Sequence, residues 1–499
     1  MKKNDWFILI ATSAYTFLFY EQSPGINFFL FSILLTTLCL IRNAQLIKDF
    51  SWLTIATGTL VSGFSVFYFG TPLTVYANIL SLFLLAAFSF NSQTSLFISL
   101  FNSFYSLLWS IPLFITNLTN IDRTNETATP SKAKRFLLFL LPLFVAVIFF
   151  MLYRASNPLF EKITDQINFD FISVEWIIFT AFGFVLMYGF FYHKFVKKFT
   201  DADHGNSDTL SFISEEKHQS SWVASIISKS NELFTGVTLF VLLNLLLFSV
   251  NGIDIYYLYI IQHLPDDLTL SQYLHDGANA LIFSIVLAIA IILFYFRGRL
   301  NFLENNKILK GLTYLWIAQN VFLIVTTAKR NFFYVSDFGL THKRIGVYIF
   351  LALCIIGLLT AFIKVLKVKS SWFLFRKNTW IWYLTLVLAT IINWDALIAR
   401  HNLNLAEKKN IAADYFYLGD LSYTSLSTLF EFYVAEKKNS VDSKTFDSYF
   451  LSLMKSKYRV LSNNVEGADW QSSCLLEFKS KKEIEELMKD DPFFFPKTN

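Results

Sequence analysis

The chain has 499 residues, of which 54% are hydrophobic, 18% aromatic and 16% charged. Its mean hydropathy is +0.47, whereas a soluble globular chain carries about 25% charged residues, so the composition excludes an ordinary water-soluble domain. The net charge of +5 is small, and the lysines and arginines cluster beside apolar runs, as membrane-helix flanks do and a nucleic-acid footprint does not. The expected partner is the lipid bilayer, with no nucleic acid.

A bilayer core of about 30 Å needs roughly 20 apolar residues per helix, each helix satisfying its own backbone hydrogen bonds. By that ruler the first spans are 6–20 and 26–41, both short and separated by Pro24-Gly25, then 51–69, 73–90 and a more polar 96–115. The middle group is 136–153, 171–192 and 233–250, and the last is 278–296, 312–328, 345–365 and 379–399. Trp6, Tyr20, Tyr153, Trp176, Tyr192, Trp380, Trp382 and Trp394 stand at span ends, where such rings anchor at headgroup level.

The expected fold class is therefore all-α: a polytopic membrane bundle of about 11–12 transmembrane helices with a small, soluble, helical C-terminal tail. The expected organisation is N-terminal transmembrane helices over 1–116, a polar loop over 117–135, a main transmembrane domain over 136–400 and the tail over 401–499. The main domain carries a polar loop at 193–232 and an outer loop at 251–277. Disorder is expected only at Asn117 to Lys132 and Thr200 to Lys217, both poor in apolar residues. In the tail, Leu418, Leu421, Leu426, Leu429 and Phe430 form an apolar stripe, Phe446, Tyr449, Phe450, Leu453 and Met454 another, and Trp470 to Met488 a third helix.

Lysine and arginine are denser in alternate loops, at 123–135, 194–229, 297–310 and 367–377. The positive-inside rule makes those loops cytoplasmic and the tail extracytoplasmic. Lys2, Lys3, Arg42 and Lys48 pull the N-terminus inside as well, which fits eleven crossings if one early segment does not span.

Three cysteines, two of them inside apolar runs, permit no disulfide framework, and the seven histidines form no HExxH or HxxxH. No cofactor is expected. His263, Asp266, Asp267, His275 and Asp276 have metal-ligand chemistry, but their spacing matches no closed ligand set and a solvated loop explains them better. Ionisable groups are absent from span centres, with Glu175 and Asp395 near ends and Lys364 long enough to snorkel. The intramembrane polar residues are the amides Asn244, Gln319, Asn320 and Asn393, which most often hold helices together.

Several stretches resemble one family. Tyr20 with Pro24-Gly25-Ile26-Asn27, Leu264-Pro265 to Gly277, Tyr334 with Gly339-Leu340-Thr341 and Arg344, and Asn393 to Asn402 occur in the order of its motifs. The chain is similar to bacterial membrane proteins carrying the domain of unknown function four-one-seven-three, a relative of four-one-five-three. At Leu274-His275 and Ala278 it departs from the family pattern. The resemblance implies a membrane fold and no established activity.

Asp395, Arg400 and Asn402 lie where the last helix leaves the membrane, and a latch from them to the loop at Thr341 to Arg344 is the preferred reading. The expected function is a noncatalytic scaffold or a partner-binding, sensing component of a bacterial inner membrane, acting through the tail. A secondary transporter is the alternative. A membrane enzyme of lipid or cell-wall intermediates has only the His263 to Asp276 group to draw on.

Overall fold

The structure, a computed structural model of the full chain, describes residues 3–119, 142, 146, 149–150, 153–154, 156–164, 174–210, 229–261, 270–303, 306–411, 413–439, 448–489 and 491. Among them the fold is all-α; the sole extended pairing is an isolated antiparallel bridge between Thr209 and Lys369. The chain divides into two compact units, one of Met1–Asp201 with Gly467–Leu475, the other of Ala202–Glu466 with Leu476–Asn499. The stretch 401–499 is thus not a unit by itself.

The first unit contains α1 (Lys3–Phe19), α2 (Ile26–Arg42), α3 (Phe50–Phe69), α4 (Pro72–Phe88), α5 (Leu96–Leu108), α6 (Ser110–Thr119), α7 (Pro158–Thr164) and α8 (Val174–Phe191). A further helix, α9 (Lys197–Gly205), begins in this unit. Local chemistry sets the ends. The Asp49 carboxylate accepts from the Ser51 and Trp52 amides to start α3, Gly70 ends it at a φ of 62°, and Pro72 opens α4 where its missing N–H costs nothing. Small and hydroxylated residues let α2, α3 and α4 approach closely. Asn78 Nδ2 lies 3.0 Å from Ser32 Oγ, 2.9 Å from the Thr59 carbonyl and 3.1 Å from Ser62 Oγ, the pattern by which polar groups bind apolar helices together.

The second unit contains α10 (Lys229–Ile255), α11 (Leu270–Tyr295), α12 (Lys307–Phe338), α13 (His342–Leu366) and α14 (Ser371–Ala389), then α15 (Trp394–Lys409), α16 (Tyr415–Asp420), α17 (Leu426–Asn439), α18 (Ser448–Gly467) and α19 (Leu475–Met488). Phe240, Ile292, Trp316, Leu358 and Leu374 belong to one buried core among α10–α14. A second core joins Val335, Leu340, Ile398 and Leu403 to Leu418, Phe430, Phe450 and Met488. Leu418, Leu421, Leu426, Leu429 and Phe430 of the first stripe are therefore buried together with Phe450 and Met454 of the second, with Ile484 and Met488 of α19 and with Val335 at the end of α12.

Five described helices are long and apolar enough to cross a membrane, at Phe50–Phe69, Val174–Phe191, Glu232–Ile260, Lys307–Phe338 and His342–Leu366. Shorter apolar helices lie at Ile26–Arg42, Pro72–Phe88 and Phe283–Tyr295, and the set fits a multi-pass membrane protein. Leu245, Leu246 and Phe248 point outward from α10, at 61%, 65% and 72% exposure, as side chains facing hydrocarbon would.

Four expectations need correction. The spans drawn at 96–115 and 379–399 are each broken, α5 from α6 by 59° and α14 from α15 by 67°. The stretch drawn as an outer loop from 251 is helical through Ile261, with Asn251 and Asp254 buried. Lys364 does not snorkel: it is fully buried and its Nζ donates to the Phe296 carbonyl at 2.5 Å. The start of the segment expected to be disordered is built: Asp203 is buried and paired with Arg376 at 3.0 Å, and Asp208 with the same guanidinium at 2.6 Å. Residues 211–217, the sixth span at 136–153 for the most part, and most of 117–132 lie outside the described residues.

Candidate functional site

Two polar constructions stand out in the second unit. The first surrounds the break between α14 and α15. Asn393 caps α15, its Oδ1 accepting from the Ala396 amide at 3.1 Å, while its Nδ2 donates to the Thr424 carbonyl at 3.0 Å. Two residues on, Asp395 Oδ2 accepts from the Ser422 amide at 3.1 Å and from the Ser422 hydroxyl. Its Oδ1 lies 2.6 Å from His342 Nε2, an ion-pair contact when the imidazole is protonated. A single carboxylate thus ties together α15, the turn before α17 and the first residue of α13.

Asn402, two turns beyond Asp395, reaches the turn between α12 and α13. Its Oδ1 accepts from the Leu340 amide at 2.5 Å and its Nδ2 donates to the Leu340 carbonyl at 3.0 Å. Gly339 makes this approach possible: its φ is +78°, and a Cβ there would lie 2.7 Å from Asn402 Oδ1. Thr341 caps α13 by accepting from the Arg344 amide at 3.4 Å. Arg344 closes the turn, with Nη1 donating to the Phe338 carbonyl at 2.8 Å and to the Gly339 carbonyl, and its guanidinium 4.1 Å from the Tyr334 ring centroid. The Tyr417 hydroxyl accepts from the His342 amide at 3.3 Å, and burial pushes that phenol up from its ordinary pKa. Lys457 donates to the Leu421 carbonyl at 2.5 Å, and burial pushes its pKa down.

A histidine, an aspartate and a serine in contact invite comparison with a hydrolase relay, but the order is wrong. In such a relay the imidazole stands between hydroxyl and carboxylate so that it can take the hydroxyl proton. Here the carboxylate stands in the middle and Ser422 donates to it directly, which holds the hydroxyl in place and does not activate it. The arrangement is suited to a clasp.

The second construction is a polar ladder between α10 and α12. Gln319 Nε2 donates to Asn244 Oδ1 at 2.7 Å, Asn244 Nδ2 to the Leu312 carbonyl at 3.0 Å and Asn251 Nδ2 to the Gln319 carbonyl at 3.2 Å. One helical level further, Asp254 accepts from Thr326 Oγ1 at 2.7 Å and pairs with Arg330. Asp254 and Arg330 are 2% and 9% exposed, so each neutralises a charge that would be costly alone in an apolar bundle.

The sequence-derived candidates are distributed unequally over these features. Gly339, Thr341, Arg344, Asn393, Asp395 and Asn402 meet at the clasp, with Tyr334 beneath Arg344, whereas Arg400 is exposed. Arg344 serves its own turn, and the ion-pair contact of Asp395 is His342, which the sequence reading did not single out. Asn244 and Gln319 belong to the ladder, while Asn320 donates to the Trp316 carbonyl of its own helix at 2.8 Å. The Asp254–Arg330 pair was missed because the tenth span was ended at Ala328. The seven-residue steps from Asn244 to Asn251 and from Gln319 to Thr326 were the available signal. His263, Asp266 and Asp267 lie outside the described residues, as do the side chains of His275 and Asp276 on α11. Among the described residues no group of three or more metal-ligating side chains is gathered.

A family described as Domain of unknown function (DUF4153) matches residues 27–431, and the chain belongs to it. The match is thus to four-one-five-three, named above as the relative of four-one-seven-three. No curated protein and no solved structure matches the chain.

Proposed function

We propose that this member of the DUF4153 family is a noncatalytic component of the bacterial inner membrane whose tail binds a protein partner and acts as an envelope scaffold or sensor. The observation that carries this reading is the Asp395 carboxylate, whose bonds to Ser422 and contact with His342 fasten the tail helices to the start of α13. A tail sharing a core with membrane helices presents a fixed surface, and Phe416 and Val460, 66% and 56% exposed, supply apolar anchors on it. The test is photocrosslinking in cells from residues replacing Phe416 and Val460. A discrete adduct with one envelope protein, lost on Asp395→Ala, supports the reading; absence of any adduct from either position ends it.

In this reading the tail is extracytoplasmic. With Cys39, Cys354 and Cys474 removed, an impermeant thiol reagent should label Ser440→Cys and leave Ser207→Cys untouched in intact cells. The reverse pattern would make the partner cytosolic.

Transport is the second reading, supported by the two broken helix pairs and by the polar ladder, since discontinuous helices and buried charges frame many carrier sites. Its test is ion or proton flux in proteoliposomes: flux abolished by Asp254→Asn favours a carrier, and flux indistinguishable from empty vesicles removes it.

A further inference from the structure

We propose that a cavity within the first unit binds an anionic single-chain lipid, its hydrocarbon body against the aromatic wall and its carboxylate or phosphate at His193 and Arg42. This site is independent of the tail and of the clasp.

The cavity measures about 540 Å³, within the roughly 300–1,000 Å³ of small-molecule sites. Its wall is hydrocarbon: Phe19, Phe31, Leu82, Leu186, Met187 and Phe190 are among the lining side chains. Of α1 it touches the C-terminal part, through Tyr15 and Phe19. Gln22, just past the end of α1, lines it, and so does His193, just past α8, whose Phe191 carbonyl accepts from Asn4 at the start of α1. An occupant of this shape is elongated and apolar, with a polar group at one end.

The two ends differ in what they leave unpaired. Gln22 is already bonded to Asp469 at 2.9 Å and to Ser472 at 2.7 Å, and Ser103 donates to the Phe83 carbonyl at 2.6 Å. His193 is 8% exposed, and neither ring nitrogen has a partner. Phe90 stacks on its imidazole at 5.6 Å, and the Arg42 guanidinium lies 3.8 Å from the centroid of the same Phe90 ring. Arg42 donates through Nη2 to the Ser89 carbonyl at 2.6 Å, but its Nη1 is buried without an acceptor. Buried polar groups left unpartnered cost about 1–3 kcal/mol each; here both nitrogens of the cavity-lining His193, one a donor and one an acceptor in the neutral ring, and Arg42 Nη1 across the shared Phe90 ring lack partners. Burial and the nearby guanidinium lower the His193 pKa to about 3, so the imidazole is neutral and Arg42 supplies the charge that selects an anion.

The test uses the full chain in nanodiscs doped with a diazirine-bearing palmitate, with crosslinked peptides mapped by mass spectrometry. Adducts are expected at Met187 and Phe190, competed by excess oleate but not by methyl oleate or inorganic phosphate. Arg42→Gln and His193→Phe should each lower the adduct yield at least tenfold. Leu186→Trp, which fills the cavity from a half-buried position, should abolish it with the melting temperature preserved. Equal competition by methyl oleate, or an unchanged yield in Leu186→Trp, would show adventitious lipid contact and overturn the proposal. Competition by inorganic phosphate alone would mean a small-anion site and overturn it too. Should His193→Phe not fold, the comparison of oleate with methyl oleate on the unaltered chain decides.

Discussion

The side-chain amide of Asn402 grips the backbone of Leu340 from both sides, accepting from its amide at 2.5 Å and donating to its carbonyl at 3.0 Å. This pairing imitates one rung of a β-ladder and needs both halves of the amide. Asn402→Ala should destabilise the second unit by about 1–3 kcal/mol, the cost of stranding buried backbone groups. Asn402→Asp, which keeps the acceptor and loses the donor, should lie between. Thermal unfolding of the three proteins in one detergent checks the order; a melting temperature for Asn402→Ala equal to wild type would remove the clasp from the stability argument.

Asp395 and His342 form the charged part of the clasp, with the imidazole largely open to solvent. A double-mutant cycle over Asp395→Ala and His342→Ala should give a coupling of about 0.5–1 kcal/mol. The same cycle with Arg344→Ala should give none, because that guanidinium is occupied by the Phe338 and Gly339 carbonyls. Strong coupling to Arg344 would mean that the ion pairing is drawn wrongly.

Gly25 touches the backbone of Ser472: a Cβ there would lie 2.5 Å from the Ser472 carbonyl carbon, and the Ile26 amide donates to the Ser473 carbonyl at 3.0 Å. Gly25→Ala should therefore cost about 1–3 kcal/mol through overpacking and open the 467–475 segment to proteolysis. Unaltered cleavage would refute the contact.

Arg330 and Asp254 should behave as a buried pair. Arg330→Met alone leaves an uncompensated carboxylate and should cost about 3–5 kcal/mol, while Arg330→Met combined with Asp254→Asn should regain most of it. Equal melting temperatures for the single and the double variant would contradict that pairing.

His193 makes the first unit sensitive to acid. Its folded pKa of about 3 lies below the unfolded value of 6.5. The unfolded chain therefore takes up the proton first, and stability present above pH 6.5 is lost as pH falls toward 3. The slope approaches about 1.4 kcal/mol per pH unit, so a shift from pH 7.5 to 5.5 should cost about 1 kcal/mol. His193→Phe should flatten this part of the profile, and an identical acid limb in that variant would assign the effect elsewhere.

Several features could be read along the chain because they depend on neighbours in sequence. Apolar runs located most of the helices, and the short stripes after Leu418 announced helices that bury one face. Gly339, Thr341, Asn393 and Asn402 were singled out as a group, and three of the four act locally, in a left-handed turn or as helix caps. Positions whose meaning comes from distant partners were read poorly. His342 has no local signal of its own, and only the fold places Asp395 against it. Lys364 looked free to snorkel until α13 was packed with Phe296 beside it. His193 carried no signal in its neighbourhood, since its lack of a partner is a property of the surrounding helices.

The sequence by itself determined the apolar character, most of the helices and the family, because hydrophobicity, helical period and turn chemistry are sums over adjacent residues. Only the tertiary structure decided where spans break, which charges are neutralised and which polar atoms are left without a partner. Those outcomes depend on groups far apart in the chain, such as Asp254 and Arg330 or Asn402 and Leu340, meeting within hydrogen-bonding distance, where interaction energy falls too steeply with separation for the order of residues alone to reveal it.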